Sequence, residues 1–142
     1  KIAFYSKFYT YPFFTQSWSL FVPAPDSERN LFVRTNARWN WSGWENILQQ
    51  EIVKHKSNRI KGNEAVVLLL SNSLHYALRV KPKKNFVING WPAGSESKVL
   101  SHEINQYLKF NGAAVSDNYE VLIVVYQKDK MYSYYYKDLI IH

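Results

Sequence analysis

Cysteine is absent from this chain of 142 residues, and its absence excludes several kinds of chemistry at once. Without a thiol there is no disulfide, no thiol nucleophile and no thiolate metal site. Glycine is also scarce: the five glycines are scattered and form neither a Gly-x-Gly-x-x-Gly run nor a Walker sequence. The sequence therefore gives no sign of an ATP- or dinucleotide-dependent enzyme, and we expect no cofactor.

Paired histidines and long apolar runs are missing as well. The four histidines never stand three or four positions apart, and there is no Asp-rich calcium loop, so we expect no bound metal. No apolar run reaches the length of a membrane span. Because the first residue is Lys and the only methionine is Met131, we expect a processed product or an excised domain. The sequence does not indicate a compartment.

Aromatic rings and positive charge are what the chain has in excess. Apolar residues make up 46% and aromatic residues 17% of a chain of ordinary domain length, so we expect one folded domain over residues 1–142. The formal net charge is +7, and the segment 54–84 alone holds eight bases and one acid, which is 8 − 1 = +7. Charge segregated in this way favours a polyanionic partner.

Periodicity along the chain predicts strands and two helices. Period-two runs predict strands at 31–34, 65–70, 74–80, 86–89, 119–126 and 131–141, with two more inside residues 1–25. The apolar run 65–80 is interpreted as a hairpin that turns through Ser71-Asn72-Ser73. One helix should begin at a capping box of Ser42 and Glu45 and run to about Lys56. A second helix should run from Ser97 to Phe110, with Asn111-Gly112 as its C-terminal cap.

These elements predict an α+β fold, a largely antiparallel sheet of about six strands with two helices on one face. From Leu31 to Tyr126 the order of elements is the ferredoxin-like βαββαβ order, with an extra N-terminal strand pair and a C-terminal hairpin. The run Leu31-Phe32-Val33 is similar to the first-strand motif of RNA-recognition domains. Residues 74–80, where that family's third-strand signature should fall, lack its glycine and paired aromatics.

Metal-independent ribonuclease chemistry is the enzymatic function that the residue inventory fits best. Cleavage through the 2′-hydroxyl needs a base, an acid and cations for the charge that develops on phosphate. His75 and Arg79 would share one face of the second hairpin strand, and His102 stands beside Glu103. The candidates for proton transfer are therefore His75, His102 and Glu103, as in a ribonuclease of the toxin or effector kind.

Binding to nucleic acid without catalysis requires no base or acid for proton transfer. Lys and Arg neutralise phosphates, and aromatic rings stack on unpaired bases. Bases and rings alternate between residues 34 and 44, and the segment 54–84 adds its cations, so RNA is the favoured ligand. This hypothesis requires the cations to converge into one patch. The expected nucleic-acid-binding residues are Arg34, Arg38, Trp41, Lys54, Lys56, Arg59, Arg79, Lys81, Lys83 and Lys84.

A different class of function is a non-enzymatic interaction module. Tyr132, Tyr134 and Tyr136 alternate on one face of the last strand, with Tyr135 on the other. If strand 131–141 forms the edge of the sheet, it could pair with another chain. The expected partner is then a protein, a glycan or a second copy of this chain. In a third interpretation the chain is a structural subunit of a larger assembly.

Overall fold

The computed structural model describes residues 27–37, 40–57, 63–79, 81 and 83–142, and the strand pair expected within residues 1–25 lies outside them. The described part contains six strands and three helices. In chain order they are β1 (Ser27–Ala37), β2 (Asn40–Trp41), β3 (Glu45–Asn46), α1 (Ile47–Ser57), α2 (Asn63–Arg79), β4 (Phe86–Asn89), α3 (Ser95–Phe110), β5 (Asn118–Gln127) and β6 (Lys130–Ile140).

The six strands form one sheet in the order β2-β1-β5-β6-β4, and β3 also pairs with β1. All pairings are antiparallel except that of β4 with β6. The α+β fold with a mostly antiparallel sheet is thus confirmed. The ferredoxin-like order is not confirmed, because the segment that should supply its two middle strands supplies a helix.

That helix, α2, replaces the hairpin predicted for residues 65–80. Leu70, Leu74 and Ala77 are buried, at the spacing of one helix face, whereas Leu68 and Leu69 on other faces are exposed. The expected turn stays helical, and the Ser73 hydroxyl donates a hydrogen bond to the Leu70 carbonyl at 3.1 Å. The hairpin prediction is wrong because a short apolar run fits a buried strand and a half-buried helix equally well.

Helix α1 begins later than predicted, and α3 is as expected. The Asn46 side chain accepts a hydrogen bond from the Gln49 amide at 3.1 Å and caps α1. The Ser42 hydroxyl instead accepts from the Thr35 amide at 3.0 Å, so the predicted capping box is wrong. Helix α3 ends in the predicted cap, where Gly112 takes a φ of +91°.

The core lies between the three helices and one face of the sheet. Its strand residues alternate along each strand, and a β-bulge opposite Glu120 shifts the alternation in β6 by one residue. Beyond this bulge Leu139 pairs with Tyr119 and both are buried. The buried core residues are Leu31, Val33, Ile47, Leu48, Leu70, Leu74, Ala77, Leu100, Ile104, Leu108, Tyr119, Val121, Ile123, Tyr134, Tyr136, Leu139 and Ile141.

Strand β6 is not a free edge of the sheet. Residues 134–137 of β6 pair in parallel with the four residues of β4, and the other side of β6 pairs with β5. The expectation that residues 131–141 form an open edge along their whole length is therefore wrong, because the short strand β4 occupies the middle of that edge. None of the helices in the described ranges is long and apolar enough to cross a membrane.

Candidate nucleic-acid interface

The side of the sheet that faces away from the helices carries an aromatic and basic surface, here called the open face. Side chains alternate along a strand, so the partners of the core residues point to this side. Trp41 and Trp44 cover part of it, with 38% and 37% of their surface exposed. Val87, Tyr126 and Met131 are also exposed. The strand residues of the open face are Glu28, Asn30, Phe32, Arg34, Asn36, Val87, Asn89, Asn118, Glu120, Leu122, Val124, Tyr126, Met131, Ser133, Tyr135, Lys137 and Ile140.

Arg34 is the centre of the open face. Its guanidinium carbon lies 4.8 Å from the ring centroid of Trp41 and 4.6 Å from that of Trp44, so the cation contacts both indoles. Its Nε donates to Oε2 of Glu120 at 2.7 Å, and its Nη2 donates to the hydroxyl of Tyr135 at 3.1 Å. The fixed planar guanidinium therefore holds two indoles, a phenol and a carboxylate in one arrangement.

Tyr135 extends this cluster toward β4. Its ring lies 5.7 Å from that of Trp44 in an edge-to-face arrangement, and the Lys137 ammonium is 4.9 Å from the centroid of the Tyr135 ring. The Tyr135 hydroxyl also donates to Oε2 of Glu120. One carboxylate thus faces two cations, Arg34 and Lys137, and the cluster keeps a net positive charge.

The charge on Arg34 is held firmly in place. Partial burial works against that charge, but the hydrogen bond and the negative charge of Glu120 outweigh it and raise the pKa of Arg34. Burial and the hydrogen bond to Glu120 likewise raise the pKa of Tyr135, so its hydroxyl stays protonated. At neutral pH the cluster therefore presents fixed rings and a fixed cation.

More cations stand at one end of the sheet. Lys128 and Lys130 flank the turn between β5 and β6. Lys83 and Lys84 precede β4, and the Asn85 side chain next to them accepts a hydrogen bond from the Ser133 amide at 2.8 Å. Because Ser133 is three residues from Lys130, the two lysine pairs lie at the same end of the sheet. We call Lys83, Lys84, Lys128 and Lys130 the end lysines.

The other described cations of the segment 54–84 lie in two places. Lys54 on α1 forms a 2.6 Å ion pair with Glu51, which also accepts a hydrogen bond from Tyr107 in the C-terminal half of α3. Lys81 instead lies near Glu96 in the first turn of α3. Hydrogen bonds from its own backbone and from Ser95, and then the charge of Lys81, lower the pKa of Glu96.

The distance along α3 separates these two groups of cations. Glu96 and Tyr107 are eleven helical positions apart, which is about 16 Å at the rise of an α-helix. Lys54 and Lys56 thus lie near one end of α3, and Lys81 near the other; Arg79 closes α2 just before Lys81. Among the described cations of the segment 54–84, Lys54 and Lys56 are thus separated from the group of Arg79, Lys81, Lys83 and Lys84. Arg38 and Arg59 lie outside the described residues.

The proton-transfer candidates are not assembled into a site. His75 and Arg79 stand four residues apart on α2, and both are exposed. His102 is exposed on α3, and its neighbour Glu103 lines a groove between α2 and α3. Among the described residues, no hydrogen bond or ion pair joins either histidine to a carboxylate. Nor do the described residues hold a group of three or more His, Asp or Glu that could bind a metal ion.

Sequence reasoning found part of the open face and missed the rest. Arg34 and Trp41 were among the expected binding residues. Trp44 was not, because a helix that begins at Ser42 would turn its first ring toward the core. It placed Tyr135 on the face opposite the other tyrosines, which is where the residue lies, without giving it a role. The signal for Glu120 was available only as strand pairing, since it meets Arg34 across 86 positions of sequence. Lys137 contacts the ring of Tyr135 in the same strand.

Comparison of this chain with protein-family models, with curated proteins and with solved structures finds no match.

Proposed function

We propose that this protein binds single-stranded nucleic acid, RNA in the first place, on the open face of its sheet. The observation that carries the proposal is the pair of indoles held on either side of Arg34 at 4.8 and 4.6 Å. Unpaired bases stack on such rings, and each stacked base contributes about 1–3 kcal/mol. RNA is favoured because its recognised bases mostly lie in unpaired loops and ends.

The open face also offers cations for the phosphates. Lys137 stands beside the aromatic cluster, and the end lysines lie at the far end of the same sheet. From Asn118, near the indoles, to Gln127, at the turn, β5 has nine steps, or about 30 Å of strand. A strand of several nucleotides could therefore place bases on the rings and phosphates on the lysines.

The tryptophans give the first test. Anisotropy of a short labelled RNA should show that Trp41→Ala and Trp44→Ala each weaken binding by about 5- to 100-fold, the loss expected for one stacked base. Tyr76→Ala is the matched control, because Tyr76 is an exposed ring on α2, in the helix layer. Duplex RNA should bind more weakly than the single strand. Equal affinities for the parent, both tryptophan variants and the control would refute the proposal.

The lysines give a second test, which separates this surface from the patch expected from the sequence. Phosphate contacts by the four end lysines should give a slope of log K against log salt of about −3, since single strands contribute about −0.7 per contact. Changing Lys83 and Lys84 to Gln should reduce that slope by about 1.4. Changing Lys54 and Lys56 to Gln removes the same charge elsewhere and should leave the slope unchanged. A slope that responds only to the second pair would contradict our assignment.

Binding is proposed without cleavage. Ribonuclease chemistry needs a base and an acid held close to one phosphodiester, and the exposed histidines of α2 and α3 have no such partners among the described side chains. RNA incubated with the protein and excess chelator should therefore stay intact. Cleavage that disappears in His75→Ala or His102→Ala would restore the enzymatic hypothesis and assign those residues.

A further inference from the structure

Two exposed apolar side chains of the helix layer, Leu69 and Phe110, lie at a groove between α2 and α3. The groove has a volume of about 510 Å³ and is lined by Val66, Leu69, Leu70, Glu103, Gln106, Tyr107, Lys109 and Phe110. Phe110 projects beside it with 91% of its surface exposed, and Leu69 is 53% exposed. Apolar rings this open to water, beside a groove with charged residues on its rim, are characteristic of protein interfaces.

We propose that a second copy of this chain occupies the groove and that the protein forms a two-fold symmetric homodimer through α2 and α3. The surface is self-complementary, because it presents a projecting ring and an apolar groove side by side. In a two-fold interface each copy gives its Phe110 to the other and receives the partner's Phe110 in return. This inference concerns the helix layer and does not depend on nucleic-acid binding by the open face.

Charge along α3 supports a second copy rather than an unrelated partner. Glu103 and Lys109 both line the groove, three residues to either side of Gln106. If two α3 helices cross antiparallel with the symmetry axis at Gln106, each Glu103 faces the partner's Lys109, and the two glutamines meet. The same crossing brings Phe110, four residues after Gln106, level with the partner's His102. The arrangement thus pairs opposite charges across the axis and places the Phe110 of each copy along α3 of the other.

The mass in solution tests the proposal. Sedimentation equilibrium from low micromolar to several hundred micromolar protein should show the mass rising from 16.8 kDa toward twice that value. Phe110→Glu should raise the dimer dissociation constant by about tenfold or more, as expected for removal of a central ring. Val53→Glu changes an exposed apolar residue of α1 that does not line the groove, and it should leave the constant unchanged.

A charge exchange makes the test specific to the two-fold arrangement. Glu103→Lys and Lys109→Glu should each weaken the dimer, because each places like charges opposite one another. The double variant E103K/K109E restores opposite charges across the axis and should recover the parent constant. A protein that stays monomeric throughout, or a dimer whose constant is unaffected by Phe110→Glu and by the single charge changes, overturns the proposal. Far-UV circular dichroism of each variant separates loss of the dimer from loss of the fold.

Discussion

Asp138 shows how one residue can set the packing of a whole strand. It has a φ of +54°, in the left-handed region that most side chains avoid, and it lies in the β-bulge opposite Glu120. The additional residue there returns Leu139 and Ile141 to the core side of β6. Without the bulge both side chains would point to the open face, since side chains alternate along a strand.

This geometry gives the first stability prediction. Asp138→Gly should raise the free energy of unfolding by about 0.5–1 kcal/mol, because glycine adopts positive φ without strain. Asp138→Val should lower it by about 1–2 kcal/mol, because a β-branched residue fits this conformation poorly. Urea unfolding measures both changes. Met131→Gly, at an exposed site in the same strand, is the control and should be destabilising; if Asp138→Gly destabilises as much, the strain argument is wrong.

At the scale of the element, α2 is the part of the chain whose identity depends on its surroundings. The apolar residues in its sequence fit a buried strand as well as they fit one face of a helix. The structure buries Leu70, Ser73, Leu74 and Ala77, and α2 packs against α1 and α3. Such tertiary contacts outweigh local propensity, which is a weak preference in either direction.

Substitutions of Asn72 test whether this point of the chain is a helix or a turn. It is exposed in the middle of α2, so Asn72→Pro should cost about 3 kcal/mol or more by removing a hydrogen bond and blocking the preceding turn. Asn72→Ala should stabilise by a few tenths of a kcal/mol, because alanine is the better helix former. Urea unfolding and far-UV circular dichroism measure these effects. In a hairpin turn, proline would be tolerated and alanine would not help, so that pattern would argue against α2.

At the scale of the whole molecule, the described part of the chain has two layers with different surfaces. The helix layer carries the core contacts and the groove beside Phe110, whereas the open face carries Arg34 and its rings. The core itself is rich in tyrosine, and its phenols are kept protonated. Burial raises the pKa of Tyr136 to about 12, and burial with the nearby charge of Glu51 raises that of Tyr107 to about 12.

Stability should therefore fall in alkaline solution. Below about pH 10 these tyrosines are protonated in the folded and the unfolded chain alike. Between about pH 10 and 12 the unfolded chain loses protons that the folded chain keeps, so the free energy of unfolding falls by up to about 1.4 kcal/mol per pH unit for each tyrosine. Tyr136→Phe should flatten the fall, whereas Tyr76→Phe, at an exposed position, should not. Urea unfolding across this pH range measures the free energy of unfolding. If it falls with pH as steeply in Tyr136→Phe as in the parent, the prediction is wrong.

The sequence by itself determined the fold class, the terminal hairpin and the second predicted helix with its cap. These follow from local signals: alternation, helical spacing and turn residues act within a few positions of each other. Only the tertiary structure decided that residues 65–79 form a helix, that Trp44 lies on the surface, and that Lys54 and Lys81 lie near opposite ends of α3. Those outcomes depend on contacts between residues far apart in the chain, because burial and charge pairing are set by which elements pack together.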